Sequence, residues 1–190
     1  MESIEMFSAV AMGLALAATC GLRAFLPLFA VGCLGALGHI ELAESFQWLT
    51  RPVALIGLGF ALVLEISGDK FPMVDHFLDS AAVVVKPIAA MVVAASVMTD
   101  MDPMVTTILG LMVGGTMAEG VHLVKAKLRL MSSAFTATLA NPVISIIEDL
   151  LAVVSTILAV LMPVLIVFLA LVGCGLGLRW WIQRQSLESG

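Results

Sequence analysis

From residue 6 to residue 38 the chain runs through 33 positions with one charged side chain, Arg23. A helix needs about 20 apolar residues to cross a hydrocarbon core of roughly 30 Å, so this run is almost long enough to cross twice. Arg23 and Pro27 interrupt it near its middle, which predicts two short helices or one broken hairpin. The pattern recurs downstream. A polar, amphipathic stretch over 39–51 precedes a short apolar run over 52–64, which ends at Glu65. Residues 80–98 contain Lys86-Pro87 and pair, across the acidic turn 99–103, with 104–118 in an expected helical hairpin. Residues 134–147 are split by Asn141-Pro142, and 150–178 read as one long final span bent at Pro163, ending at Arg179-Trp180-Trp181.

Composition fixes the solvent. The chain is 61% hydrophobic and 12% charged, with a mean hydropathy of +1.13, whereas soluble domains carry about 25% charged residues. This excludes a soluble domain, a disordered tail, a nucleic-acid binder and a disulfide-stapled secreted module. Nine Lys/Arg against fourteen Asp/Glu, a net charge of −5, argues against a polybasic lipid-surface binder. Cys20, Cys33 and Cys174 lie in apolar runs, odd in number and without a C-x-x-C pair, and read as small buried hydrophobes. The acidic start, Met1-Glu2-Ser3-Ile4-Glu5, is unlike the basic opening of a removable signal. Ala17-Ala18-Thr19-Cys20 makes a poor lipoprotein cleavage site. Residues 186–190 read as a cloning remnant, leaving 1–185 as a single transmembrane domain.

The expected fold class is therefore all-α: a polytopic integral membrane protein with about six or seven hydrophobic segments, several of them short, broken or re-entrant. Positive-inside counting places residues 122–129 and the Arg179/Arg184 tail, hence the C-terminus, in the cytoplasm. It puts the 99–103 turn outside and 69–79 near the cytoplasmic face. A short apolar segment followed by a Pro-interrupted one, early and late in the chain, raises an inverted repeat, with residues 18–23 set against 117–122.

Four constellations carry possible chemistry. The richest, residues 65–79, holds Glu65, Asp69, Lys70, Asp75, His76 and Asp79, with Lys86 beyond. If the stretch after Pro72 is helical, Asp75 and Asp79 share a face with Lys86. Two such carboxylates, helped by Glu65 or Asp69, supply the hard oxygens that a divalent cation requires, so Asp75 and Asp79 are candidate metal ligands. The bland alternative is a solvated loop with Asp79 capping the next helix. It explains Lys86 poorly, because a central charge in an apolar helix costs about 2.5–3.5 kcal/mol unless paired or hydrated. An Asp75/Asp79–Lys86 ionic cluster is expected.

The second constellation is Gly21-Leu22-Arg23-Ala24-Phe25-Leu26-Pro27. A helix break there would offer a guanidinium and freed N–H groups to a carboxylate, phosphate or halide. Alternatively Arg23 snorkels to the interface, or pairs with Glu148 or Asp149. The third is Asn141, Ser145, Glu148 and Asp149, one helix face at i, i+4, i+7 and i+8, which lines a path or glues helices together. The fourth is the stripe His122, Lys125 and Arg129, opposite Val121, Val124 and Leu128, which meets anionic headgroups or a phosphate on an amphipathic helix.

No G-x-S-x-G, Walker lysine loop or H-E-x-x-H is present, and His39, His76 and His122 have no zinc-like spacing. The pattern Gly21-x-Arg23-Ala24-x-x-Pro27, Glu65-x-x-Gly68-Asp69-Lys70-x-Pro72-x-x-Asp75-x-x-x-Asp79, Lys86-Pro87, His122-x-x-Lys125 and Asn141-Pro142-x-x-Ser145-x-x-Glu148-Asp149 resembles an uncharacterised bacterial membrane family, domain of unknown function 4126. The Gly-Asp-Lys-x-Pro segment is the most specific piece. The resemblance implies a small multi-pass inner-membrane protein and brings no catalytic assignment.

The residues point to a small transporter or channel for an ion or small charged solute, with an acidic cation or proton site near the cytoplasmic side. The rivals are a lipid-phosphate flippase, a metal-dependent lipid-modifying enzyme and a non-catalytic scaffold. Enzymatic activity is the less favoured of these. No cofactor beyond a divalent cation is expected. The expected partners are the bilayer and a second copy in a homodimer, with no nucleic acid.

Overall fold

The computed structural model describes residues 2–68, 72–99, 101–136 and 141–188, with side chains for 5–68, 80–99, 101–127, 143–169 and a few positions beyond. Among these residues there are helices and no strands. In chain order they are α1 (Glu2–Cys20), α2 (Phe25–Ala36), a 3-10 segment (Glu44–Thr50), α3 (Pro52–Gly68), α4 (Pro72–Val97), α5 (Pro103–Leu109), a π segment (Gly110–Gly114), α6 (Gly115–Thr136), α7 (Asn141–Leu161) and α8 (Pro163–Glu188). Among the described residues, three stretches are long and apolar enough to cross a membrane: Ser80–Val97, Pro103–Lys127 and Val143–Leu161. The 3-10 segment and α3, bent by 68° at their junction, make a fourth candidate. Shorter apolar stretches fill out the remainder, so among the described residues the full-length spans are fewer than the hydrophobic segments counted in the sequence. Large apolar side chains such as Phe7, Ile56, Phe60, Leu111, Leu150 and Phe168 stand exposed. A soluble monomer does not tolerate so much exposed apolar surface, and lipid does.

The core forms around α1, whose Ala15, Leu16, Ala17, Ala18 and Cys20 are buried among α4, α6, α7 and α8. The small side chains let neighbouring backbones come close. Gly13 faces Ala94 and Met98, while the carbonyl of Gly21 receives Lys86, so α1 runs antiparallel to α4. After the break at residues 21–24, α2 turns back. The chain beyond it returns to the far end of α4, where Ala43 N–H donates to Ser96 O at 2.8 Å. Residues 6–38 are therefore a hairpin whose two ends lie on one side and whose turn is inside the bundle, the broken-hairpin alternative of the sequence reading. Gly38, at φ +73°, makes the turn that ends α2.

Prolines open and bend helices as the sequence suggested. Asp102 caps α5, accepting from Met104 N–H at 2.8 Å and Val105 N–H at 3.3 Å, and the 80–98/104–118 hairpin forms as expected. Pro87 stays inside α4. Opposite it, Gly115 leaves room for the ring, and the π segment sets Gly110 directly on the Met91 carbonyl. Asn141-Pro142 are the first described residues of α7. At Pro163 the helix breaks where the bend was expected: α7 ends at Leu161 and α8, which packs along α1, α6 and α7, starts at Pro163. Proline's missing N–H costs nothing in the first turn of a helix. The segments 18–23 and 117–122 pack in parallel, Gly21 on Ala118 and Ala17 on Gly114. Inverted halves would run antiparallel there, so these two segments are not inverted counterparts.

Gly21 is the tightest of these contacts, because a Cβ there would run into the Ala118 carbonyl and Val121 Cβ. Gly21→Ala is expected to destabilise the detergent-solubilised protein by about 1–3 kcal/mol, the usual range for overpacking. Gly57→Ala, with nothing within 4 Å of the added carbon, should leave the melting temperature within a degree or two. Equal melting curves for the two variants would contradict this packing.

Candidate functional site

Ending α1 at Cys20 and starting α2 at Phe25 leaves helix-terminal carbonyls and amides without helical partners, largely buried inside the bundle. Side chains from four other helices meet the break. Lys86 of α4 donates from Nζ to Gly21 O at 2.9 Å, and Lys125 of α6 to Leu22 O at 3.4 Å. Both cations thus sit where the negative end of the α1 dipole points. On the other side of the break, the Glu65 carboxylate of α3 accepts from Ala24 N–H at 2.8 Å and Phe25 N–H at 3.2 Å, an anion on the positive end of α2.

Arg23, at the centre of the break, is 1% exposed, which rules out snorkelling to the interface. Its guanidinium forms an ion pair with Asp149 of α7 and donates to Glu65 O at 3.1 Å and to Ser145 Oγ at 3.5 Å. Lys125 pairs with Glu148 at 3.2 Å. Lys86 also lies 2.7 Å from His122 Nδ1. With the lysine protonated, that nitrogen is the acceptor and the neutral imidazole would carry its proton on Nε2.

Glu65, Arg23, Lys86, His122, Lys125, Ser145, Glu148 and Asp149, drawn from all four sequence constellations, thus occupy one site. Among the described residues its charged members are three cations, Arg23, Lys86 and Lys125, and three carboxylates, Glu65, Glu148 and Asp149. The amphipathic reading of α6 is corrected. His122 and Lys125 are buried while Leu123 is exposed and Val121 packs against Gly21, because in an apolar chain ionisable groups turn towards protein partners. Of the third constellation, Ser145 and Glu148 are buried and Asp149 is half-buried on the inner face of α7.

Asp69 lies outside the described residues, as do the side chains of Asp75, Asp79, Arg129 and Asn141. The helical register of α4 nevertheless places positions 75 and 79 on the face that carries Ala82 and Lys86. No group of three or more His, Cys, Asp or Glu among the described residues is placed to hold a metal ion.

Beside the break is a cavity of about 220 Å³, bounded by α3, the first half of α4 and the start of α2. Arg23, Glu65, Lys86 and Lys125 form its polar wall, and apolar side chains including Phe25, Leu64 and Val85 the rest. Glu148 and Asp149, which pair with two of those cations, do not line it. A small apolar cavity with a few convergent polar groups is the usual form of a solute site.

The sequence reading missed two things here. It treated Glu65 as a cation ligand, whereas the carboxylate caps α2, and it gave His122 and Lys125 to headgroups. The available signal was the same for both: charged side chains at helical spacing in a chain this apolar point inwards.

Removing one member of a buried ion pair strands the other at a cost of about 3–5 kcal/mol. Arg23→Met should therefore lower the melting temperature sharply. Asp149→Leu in the same chain should recover part of the loss, a positive coupling in a double-mutant thermal-unfolding cycle. Strict additivity would remove the pair from the site.

No curated protein and no solved structure matches the chain. A family model does: the one described as "Domain of unknown function (DUF4126)" matches residues 10–183. The chain, including every residue that meets at the α1–α2 break, belongs to the DUF4126 family.

Proposed function

We propose that the protein is a small membrane transporter or channel for an ion or small charged solute, with its site at the α1–α2 break. The observation that carries this reading is the gathering of Arg23, Lys86, Lys125, Glu65, Glu148 and Asp149 around one backbone break beside a cavity. Lys86 is the seventh residue of the span Ser80–Val97, about 9 Å into it at ~1.5 Å per residue. Buried ion pairs seldom stabilise more than apolar packing of the same volume. Ionisable groups at such a depth mark solute and proton pathways.

The path runs along the α4 face that carries positions 75, 79, 82 and 86. Asp75 and Asp79 take a cation or relay protons near the cytoplasmic side, in a bacterial inner membrane with the C-terminus inside, on the positive-inside distribution. A second copy completes the wall, since seven short segments enclose little space. The lipid-phosphate reading has less support, because Arg23, His122 and Lys125 are buried on protein partners and not presented to a headgroup.

The test is flux into proteoliposomes under imposed gradients of protons, K⁺, Na⁺, Mg²⁺, chloride and small carboxylates. Wild-type protein should move at least one of these above protein-free vesicles. Asp75→Asn, Asp79→Asn and Lys86→Met should each cut the rate tenfold or more while eluting as the same monodisperse species. Absence of flux across the panel overturns the transport reading. Wild-type rates in both aspartate variants would remove the acidic site from it.

A further inference from the structure

Glu65 does something unusual for a carboxylate in a membrane helix: both its oxygens sit on backbone amides, those of Ala24 and Phe25. The same carboxylate forms part of the wall of the 220 Å³ cavity, and is the only acidic group among the described residues that does. The other charged members of that wall are cations, each more than nine-tenths buried: Arg23, Lys86 and Lys125. The carboxylates of Asp149 and Glu148 pair with two of them from the α7 side, behind the wall. A solute entering the cavity therefore meets guanidinium and ammonium groups, two amides pointing out of a helix start, and one side-chain carboxylate resting on those amides.

That arrangement is a carboxylate site with an internal occupant. Two N–H donors at a helix start, next to a guanidinium, are suited to a two-oxygen anion, and Glu65 already shows the bidentate pose. Its carboxylate is held by two hydrogen bonds and joined to α3 through a flexible stem, so swinging it aside vacates the amides without breaking any helix. We infer that the α1–α2 break is a binding site for a small carboxylate anion, and that Glu65 holds the site until such an anion takes its place on the Ala24 and Phe25 amides.

The cavity sets the size of the ligand. At about 220 Å³ it has room for an anion of a few non-hydrogen atoms together with some hydration. Phe25, Leu64 and Val85 offer the apolar side against which a short alkyl stub would pack. The inference rests on the transport reading for its biological use, but the site is defined by binding alone.

The experiment is chemical rescue of Glu65→Ala. Purified full-length variant in detergent is unfolded thermally in rising formate or acetate, against chloride at equal ionic strength, with sulfate as a bulkier dianion. The vacated amides should make Glu65→Ala melt several degrees below wild type. Formate and acetate should raise its melting temperature progressively with the logarithm of concentration, as for a ligand that binds only the folded state. Wild type, with its own carboxylate in place, should respond at least tenfold less sensitively. Glu65→Gln guards against a variant that does not fold: it keeps the side-chain shape and one acceptor, and should show a smaller loss with partial rescue.

No gain from formate or acetate over chloride, in both Glu65→Ala and Glu65→Gln, overturns the carboxylate site. An equal response to chloride and sulfate overturns it too, since that is general screening. The two readings fail separately. Rescue without any flux in proteoliposomes keeps the site and removes transport, whereas flux of some ion without rescue keeps transport and removes the carboxylate site.

Discussion

The structure depends on closing a broken backbone where water cannot. Four residues, 21–24, separate the end of α1 from the start of α2, and in a bilayer each exposed carbonyl or amide there would cost several kcal/mol. The solution is electrostatic as well as geometric. Lys86 and Lys125 meet the carbonyls, where helix dipoles leave negative charge; Glu65 meets the amides, where they leave positive charge. Once those three are committed, further groups follow. Arg23 is carried by the break itself and takes Asp149, and Lys125 takes Glu148. His122 and Lys125 of α6 and Ser145 and Glu148 of α7 are thereby turned inwards, while Leu123, Ile146, Ile147 and Leu150 are left to lipid.

Packing serves the same end. The hairpin turn reaches its caps only if α1 lies close against α6, and that is possible because residue 21 has no side chain and Ala118 has a small one. Farther along, Gly114 meets Ala17, and Gly110 meets the backbone of α4. The π segment at Gly110–Gly114 lies in this contact zone, facing the half of α4 that follows Pro87. A local departure from the α repeat is one way for two helices to remain in contact when one of them carries a proline.

Much of this was legible in the chain. Arg23 and Pro27 announced the broken hairpin, Lys86 announced a charge that needed partners, and Ser145, Glu148 and Asp149 announced an inward face on α7. Each is a local signal, read from the cost of polarity in an apolar run. What was not legible is that these signals belong to one site. Pairing of Arg23 with Glu148 or Asp149 was one of the readings the chain offered, but nothing in either segment's periodicity ties that pair to Lys86, Lys125 or Glu65. The role of Glu65 was hidden for a different reason. A carboxylate after an apolar run looks like a helix end or a metal ligand, and only the positions of Ala24 and Phe25 show that its partners are amides. A proline inside an apolar stretch looks the same whether it bends one helix or opens another, and at Pro163 it does the latter.

The origin of the caps has a mechanical consequence. An unbroken helix would have satisfied its own backbone and needed no charge from outside. Here the carbonyls are served by α4 and α6 and the amides by α3, so the break remains satisfied only while those three helices keep their relative positions. A shift of α3 withdraws the carboxylate and exposes the amides; a shift of α4 or α6 withdraws a cation and exposes a carbonyl. In each case the cost of the uncapped group falls if a solute of the right charge or a water molecule enters the adjacent cavity as the helix moves. Helix position and occupancy of the cavity are therefore linked through the same few hydrogen bonds, and a differential affinity of this kind is what any ligand needs to shift a conformational equilibrium.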